Sequence, residues 1–358
     1  MNNLTNNTKS FKAATLDKFK GDLKIKDHCF RELKSNEYLI KIMSTSILPA
    51  DLALLNGLYG SSLPPLPRIF GMEGSGIIEQ VGKDIDKSVL GKHCSIIANS
   101  SSPDFNGVWS QYAYAVKDNL LIYDKKVPFD TIFNSQANPL TACGFIDTIK
   151  NKHNKKSVAH TGASSAFGRM FMRLCIKEGI EVVNIVRKDS SIIELKEYGG
   201  KYFVNTSEDE WVDKLKKYCN DLDITILFDC VGGSVTGNCL KALKNKGVLY
   251  HFGNLELSRL SDIDPRDFFF NEKVFKGWWL SAWLEERSHD LKDKDLSLNT
   301  IDYWRNIIKT DFELNDGKLF GTEFKKKFDL NDIEKAFETY LTSSGKVLIK
   351  PWGLDNNE

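Results

Sequence analysis

The chain has 358 residues, enough for two domains and a sizeable buried core. Hydrophobic residues make up 41% and charged residues 27%, and the net charge of +1 gives no global attraction for nucleic acid or an anionic membrane surface. No apolar run approaches the about 18 residues of a membrane span, so neither a membrane nor a nucleic acid is an expected partner.

The opening ten residues, MNNLTNNTKS, are polar and lack the apolar run of a secretory signal. No arginine precedes Arg31, so a mitochondrial presequence is not supported either. Seven cysteines, at positions 29, 94, 143, 175, 219, 230 and 239, follow no pairing pattern. They read as reduced core thiols of a cytosolic protein.

From Phe11 to about Lys126 the pattern is one of short strands and turns. Strands are expected over Glu37 to Met43, Gly76 to Gly82, Gly91 to Ala98 and Trp109 to Val116. A proline-rich loop, Ser61 to Pro67, lies between Tyr59 and Glu73. Many short strands with glycine and proline punctuation indicate a β-rich, barrel-like domain.

Past Val127 strands and helices alternate. Ser157 to Thr161 reads as a buried strand, and the small-residue turn Gly162, Ala163, Ser164, Ser165, Ala166, Phe167, Gly168 follows it. Phe167, Met170, Phe171, Leu174 and Cys175 then mark one face of a helix that Gly179 closes, and Glu181 to Val186 reads as a second buried strand. Strand, tight turn, helix, strand is the unit that binds a dinucleotide, because small residues let a pyrophosphate approach the N–H groups of the helix N-terminus. Arg187 and Lys188 stand at the end of the second strand, where a site for NADH usually carries a carboxylate. A pair of cations suits a ribose 2′-phosphate, which points to NADPH. The turn departs from G-x-G-x-x-G, since Ser164 and Phe167 stand two and five places after Gly162. An ordinary buried βαβ unit with a small turn would read the same way.

Further strands are expected over Tyr202 to Asn205, Ile224 to Phe228, Gly247 to Gly253 and Lys273 to Ser281, with a helix through Trp211, Leu215 and Tyr218. Together they describe a doubly wound parallel sheet. The tail offers a helix around Tyr303 and Trp304, another from Asp332 to Leu341, and a final strand from Lys346 to Ile349.

These residues resemble the medium-chain dehydrogenase/reductase superfamily. GMEGSGIIEQVG, residues 71–82, is similar to its G-x-E-x-x-G-x-(V/I)-x-x-V-G signature. Asn138-Pro139-Leu140-Thr141-Ala142 resembles the entry to its nucleotide domain, and Ser344 to Leu348 its C-terminal G-K-V strand. The likeness runs from about Lys12 to Trp352 with the motifs in family order. It implies an α/β protein with a GroES-like β-rich catalytic domain, formed by residues 1–128 and 285–358, around a Rossmann domain at 129–284. A homodimer through the last Rossmann strand is the family expectation.

Within the superfamily the zinc alcohol dehydrogenases carry a cysteine where this chain has Leu48, a histidine where it has Met72, and a second cysteine near Asn138. Leucine and methionine cannot supply the thiolate and imidazole of a catalytic zinc, so no metal is expected. His93 and His160 read as strand residues rather than ligands. The resemblance is therefore to the zinc-free branch of quinone oxidoreductases and 2-enoyl thioester reductases. Leu48-Pro49-Ala50-Asp51 departs from that branch's N-P-x-D at its first position, while Gly57-Leu58-Tyr59 matches a G-x-Y whose tyrosine is the proposed proton donor of enoyl reductases.

The chemistry implied is hydride addition to the β carbon of an unsaturated carbonyl, a small-molecule enone, quinone or enoyl thioester, with Tyr59 or water protonating the α carbon. Tyr59 could equally be a rim aromatic packed on the prolines. Asn138 and Thr141 are expected at the nicotinamide end, although Asn138-Pro139 also suits a helix start. Val231, Gly232, Gly253 and Asn254 fall where strand ends should meet the cofactor; plain turn chemistry is the alternative. Trp278 and Trp279 could line a substrate cleft, a dimer contact or the core. A non-catalytic NADPH-binding scaffold of the same fold remains the second functional reading, and the loss of the asparagine at Leu48 leans toward it.

Overall fold

In the computed structural model, which describes residues 9–60, 63–98, 107–290, 301–342 and 346–354, the chain divides into two units. One is built from residues 1–137 and 305–358, the other from 138–304. Ser61, Ser62, Ser344, Gly345 and most of the opening ten residues lie outside the described residues.

The first unit contains strands β1 (Ser10–Leu16), β2 (Leu23–Cys29) and β3 (Glu37–Ser46), helix α1 (Pro49–Leu55), strands β4 (Arg68–Ile69), β5 (Glu73–Val81), β6 (His93–Ile97), β7 (Tyr112–Val116) and β8 (Leu120–Ile122), and the single-turn helix α2 (Phe129–Ile132). β2, β1 and β4 form a small sheet, and the larger one runs β15-β16-β3-β5-β6-β8 with β7 also paired to β3. The last two strands of that sheet come from the far end of the chain. β15 (Phe324–Asp329) runs parallel to β16 (Lys346–Lys350), and β16 is antiparallel to β3, with Leu348 opposite Ser46 and Ile349 opposite Thr45. The tail segments thus complete the first unit.

Alternation decides which faces are buried. Ile40, Ile42, Ile78, Cys94 and Ile96 close one core cluster, and Leu16, Ile47, Leu54, Phe70, Trp109, Val347 and Ile349 another, capped by Ile333 and Ala336 of α11 (Ile333–Thr342). The four expected strands are present, each with at least one end shifted. β1, β2, β4, β8 and β15 come in addition, and so does α1, whose start is fixed by Pro49 and by the Asp51 carboxylate accepting from the Leu48 N–H at 2.8 Å.

The second unit opens with α3 (Ala137–Asp147) and continues β9 (Ser157–His160), α4 (Ala166–Lys177), β10 (Glu181–Val186), α5 (Asp189–Glu197), β11 (Tyr202–Asn205), α6 (Trp211–Asp221), β12 (Ile226–Asp229), α7 (Gly233–Ala242), β13 (Val248–His251), α8 (Arg266–Phe269), β14 (Val274–Gly277) and α9 (Leu280–Asp290). The sheet order is β11-β10-β9-β12-β13-β14 and every pairing is parallel. Buried Ala159, Val183, Ile185, Val204, Leu227 and Leu249 line one face, against Leu215 and Cys219 of α6 and Cys239 and Leu240 of α7. Phe145 of α3 stacks on Phe228 of β12 at 3.7 Å between ring centres. Strand order reverses between β9 and β12, so the loops at those carboxyl ends diverge and leave a crevice.

Both unit edges lie further along the chain than the expected 128 and 284. Residues through Ala137 are held by the first unit: the Gln136 and Ala137 N–H groups donate to Glu73 at 2.7 and 2.9 Å. The second edge falls inside α10 (Ile301–Leu314), and Trp283 is tied into the second unit by its indole N–H donating to Asp147 at 2.9 Å. The strand expected over Lys273 to Ser281 is shorter, because Trp278 folds onto Phe145 and α9 begins at Leu280. Six cysteines are buried free thiols, whereas Cys29 is exposed on β2 and so is not a core residue.

Candidate cofactor and active site

Four of the neighbouring parallel strands deliver candidate residues at their carboxyl ends. β9 leads to the turn Gly162 to Ser165, β10 to Arg187 and Lys188, β12 to Val231 and Gly232, and β13 to Gly253 and Asn254. They straddle the β9/β12 reversal, the place where open α/β sheets take ligands.

The turn is shaped by two glycines. Gly162 sits at φ +65°, and a Cβ on it would lie 2.7 Å from the Cys230 sulfur. Gly168 lets the first turn of α4 settle on the loop beneath, since a Cβ there would fall 2.4 Å from the Ala163 carbonyl oxygen. Ser165 caps α4, its hydroxyl accepting from the Gly168 N–H at 3.0 Å. Ala166 and Phe167 occupy the first helical positions, whose N–H groups have no acceptor inside the helix and face the anion-favouring end of its dipole. The Ser164 carbonyl accepts from Arg169 at 2.8 Å, and Arg169 also pairs with Glu194 at 2.8 Å.

Arg187 and Lys188 are exposed, and among the described residues neither side chain has a hydrogen bond or ion pair. The Ala163 N–H donates to the Ile185 carbonyl at 3.2 Å, which holds the turn beside the strand that ends at these cations. Unpaired cations next to orphan helix N–H groups fit a dinucleotide that carries an additional phosphate. Gly232 is at φ +94°, and a Cβ there would meet the Asn254 amide oxygen at 2.2 Å, so this loop needs glycine for close approach to its neighbour.

Asn138 and Thr141 lie half-buried in the first turns of α3, so the helix-start reading of Asn138-Pro139 also holds. Tyr59 belongs to the first unit, where it follows α1 and packs, partly buried like Leu66, against a cluster containing Leu54 and Trp109. Trp278 is half-buried: it packs edge-on to Phe145, and its indole donates to the Thr148 hydroxyl at 3.2 Å. Trp279 is 44% exposed. Leu48 and Met72 are buried. His93 meets the Val127 carbonyl at 2.8 Å, while His160 meets Asn184 at 2.9 Å through one ring nitrogen and has no partner at the other. Burial lowers the His160 pKa to about 4, so its ring is neutral.

Two groupings escape the sequence. Asp51, Glu73 and Lys346 are buried together in the first unit, and Asp51 Oδ1, Glu73 Oε2 and Lys346 Nζ have no hydrogen-bond partner. Burial raises Asp51 to about 7 and lowers Lys346 to about 8, and each opposite charge works against the shift. Burial likewise raises Glu73, against the charge of Lys346. Asp229, in the second unit, is bound by Thr161, Thr236 and His251. In both cases the residues come from separate elements that only the fold brings together, and no local pattern marks them.

Among the described residues no helix is long and apolar enough to cross a membrane. Residues 34–123 match the family described as alcohol dehydrogenase GroES-like domain, and residues 166–294 the family described as zinc-binding dehydrogenase. The mitochondrial enoyl-(acyl-carrier-protein) reductase of Arabidopsis thaliana is 27% identical over 258 residues, 71% of this chain and 67% of that protein. The quinone oxidoreductase of Sus scrofa is 23% identical over 259 residues, 72% of this chain and 76% of that protein. A solved complex of Etr1p with NADP and crotonyl-CoA superposes with a TM-score of 0.76 at 17% identity, covering 96% of this chain and 100% of the other.

Proposed function

The chain belongs to the medium-chain dehydrogenase/reductase superfamily, and from that premise we propose that it is an NADPH-dependent reductase of the C=C bond of unsaturated carbonyls, working without zinc. It is an oxidoreductase by kinship with enoyl reductases and quinone oxidoreductases. One observation carries the choice of NADPH: two exposed, unpaired cations, Arg187 and Lys188, beside the capped and glycine-shaped start of α4. Bound NADPH supplies the hydride. The α4 N-terminus and the two cations hold its phosphates, and the small residues of the turn let the backbone come close.

Zinc independence rests on donor chemistry. Leu48 and Met72 stand where a thiolate and an imidazole would be needed, and neither replaces them. Reduction of a conjugated C=C asks only for hydrogen bonds to the developing enolate oxygen, plus a proton at the α carbon. Tyr59 is the side chain proposed to hold that proton on its phenol oxygen. Enoyl thioesters head the substrate list, in keeping with the names of the relatives.

NADPH oxidation followed with crotonyl-CoA, a 2-alkenal and a quinone tests this reading. Turnover is expected with a thioester or enone, with the rate about a hundredfold or more lower in Tyr59→Phe, the usual weight of a positioned acid. An unchanged rate in the variant removes Tyr59 from the chemistry. Tight NADPH binding with no turnover of any acceptor moves the assignment to a non-catalytic NADPH-binding protein, the reading that buried Leu48, with its apolar side chain, favours.

Two further expectations accompany the assignment. β14 is an edge strand whose Val274 is 45% exposed, and a second copy pairing with it would cover that edge; a solution mass of one chain by light scattering would overturn the homodimer. The free thiols suit a reducing compartment such as the cytosol, although the enoyl reductase relatives are mitochondrial by name.

A further inference from the structure

Asp229 ends β12 and is fully buried beneath the loops that carry the cofactor candidates. Its Oδ1 accepts from the Thr161 hydroxyl at 2.6 Å and from the Val231 N–H at 3.1 Å. Its Oδ2 accepts from the Thr236 hydroxyl at 2.6 Å and from His251 Nδ1 at 3.0 Å. A carboxylate offers about four lone-pair sites, and here all four are taken. Thr161 passes the connection on, its hydroxyl accepting from the Cys230 N–H at 2.9 Å. No acceptor capacity is left for a ligand, so whatever Asp229 does, it does through its partners.

Those partners sit at the bases of three loops. Thr161 immediately precedes Gly162; Val231 and Thr236 flank Gly232 and the start of α7; His251 precedes Phe252, Gly253 and Asn254. The second and third loops are also joined by their backbones, with Phe252, Leu255 and Glu256 donating to the carbonyls of Asp229, Cys230 and Val231 at 2.8, 2.9 and 2.9 Å. The Gly162 turn is tied to this pair by the Thr161 N–H donating to the Phe228 carbonyl at 3.0 Å, by the Cys230 thiol 3.7 Å from the Thr161 carbonyl, and by the side chains of Thr161 and Asp229, the one tie that reaches all three loops. Burial alone would push the Asp229 carboxyl up, yet the donors of His251, Thr161, Thr236 and Val231 hold it below the usual carboxylate range. It is therefore a charged knot inside the protein, stable only while every strand is tied.

We propose that Asp229 is a positioning residue that locks the Gly162, Gly232 and Gly253 loops into one register, so that the cofactor crevice is shaped before any ligand arrives. The proposal rests on the cofactor reading above for what the crevice holds, but the lock itself is a property of the free chain. His251 must carry its proton on Nδ1 to serve it. Asp229→Asn keeps the shape and turns one oxygen into a donor facing donors, and Thr236→Val removes a single hydroxyl at nearly constant volume.

The test measures amide hydrogen exchange of the ligand-free full-length chain over the three loops and titrates NADPH by fluorescence. Asp229→Asn and Thr236→Val are compared with wild type and with Leu240→Ala, which weakens the packing of α7 without touching the network. The lock predicts faster exchange in all three loops for both network variants, and an NADPH Kd raised about tenfold, the effect of one charged hydrogen bond. In Leu240→Ala the Gly162 loop should keep its protection, with the Kd within about twofold of wild type. Faster exchange confined to the substituted loop, or the same pattern in Leu240→Ala, would overturn the proposal. If wild type fails to bind NADPH while the three loops loosen together in the network variants, the lock stands and the cofactor assignment falls. If Asp229→Asn does not fold, Thr236→Val carries the comparison.

Discussion

Changing Arg187 and Lys188 together to alanine is expected to weaken NADPH binding about a hundredfold or more and to leave NADH binding nearly untouched, because each charged hydrogen bond to phosphate contributes about 1.5–3 kcal/mol. Both side chains are exposed and unpaired among the described residues, so no ion pair has to break before they engage a phosphate. The same exposure makes the effect sensitive to salt, and the wild-type preference for NADPH should shrink as ionic strength rises. Parallel titrations with NADPH and NADH, at low and physiological salt, provide the check. Equal losses for both cofactors would mean that the pair supports the fold of the β10–α5 turn rather than reading a 2′-phosphate.

The second large effect is one of stability. Lys346→Met leaves Asp51 and Glu73 buried without the positive charge that faces them, and breaking a buried ion cluster from one side costs about 3–5 kcal/mol. The sign of its pH dependence follows from the carboxylates. Asp51 has an ordinary value of 3.8 and a folded value of about 7, so between these the folded state holds a proton that the unfolded state has released. Stability is thus lost as pH rises through that window. Lys346 lowers both acids; without it their folded values climb and the window extends upward. Near pH 5 the Asp51 carboxyl is neutral, and methionine also escapes the cost of burying an ammonium. Denaturant unfolding should therefore find variant and wild type similar at about pH 5 and well separated at about pH 7.5. A separation independent of pH would show that the cluster is not what holds Lys346.

The second unit is the more legible in sequence because its strands are buried on both faces. Val158, Val183, Ile185 and Leu249 come in continuous apolar runs, and α4 shows a stripe at helical spacing. Its parallel order, and hence the gathering of Gly162, Arg187, Gly232 and Gly253 at one end, follows from the strand–helix alternation. The first unit is harder. β15 reads Phe-Lys-Lys-Lys-Phe-Asp, a lysine-covered edge strand with almost no apolar signal, and its partner β16 lies beyond an intervening helix. α3 buries residues around nearly its whole circumference, so it has no stripe to find. The Asp229 knot escapes for a different reason. Thr161, Thr236 and His251 are common residue types, and only the folding of the sheet makes them neighbours.

The way β16 is stitched between β15 and β3 sets an order of completion on the ribosome. Residues 138–304 are contiguous, so that unit has all its strands once Trp304 has left the exit tunnel. The sheet begun by β3 must wait for residues 346–350, about 300 positions after its first half was made. Throughout that interval the Thr45–Ser46 edge of β3 is an unpaired template open to other nascent chains. For this protein the hazardous interval of synthesis lies between the emergence of β3 and that of β16, when a finished second unit can be attached to an open sheet.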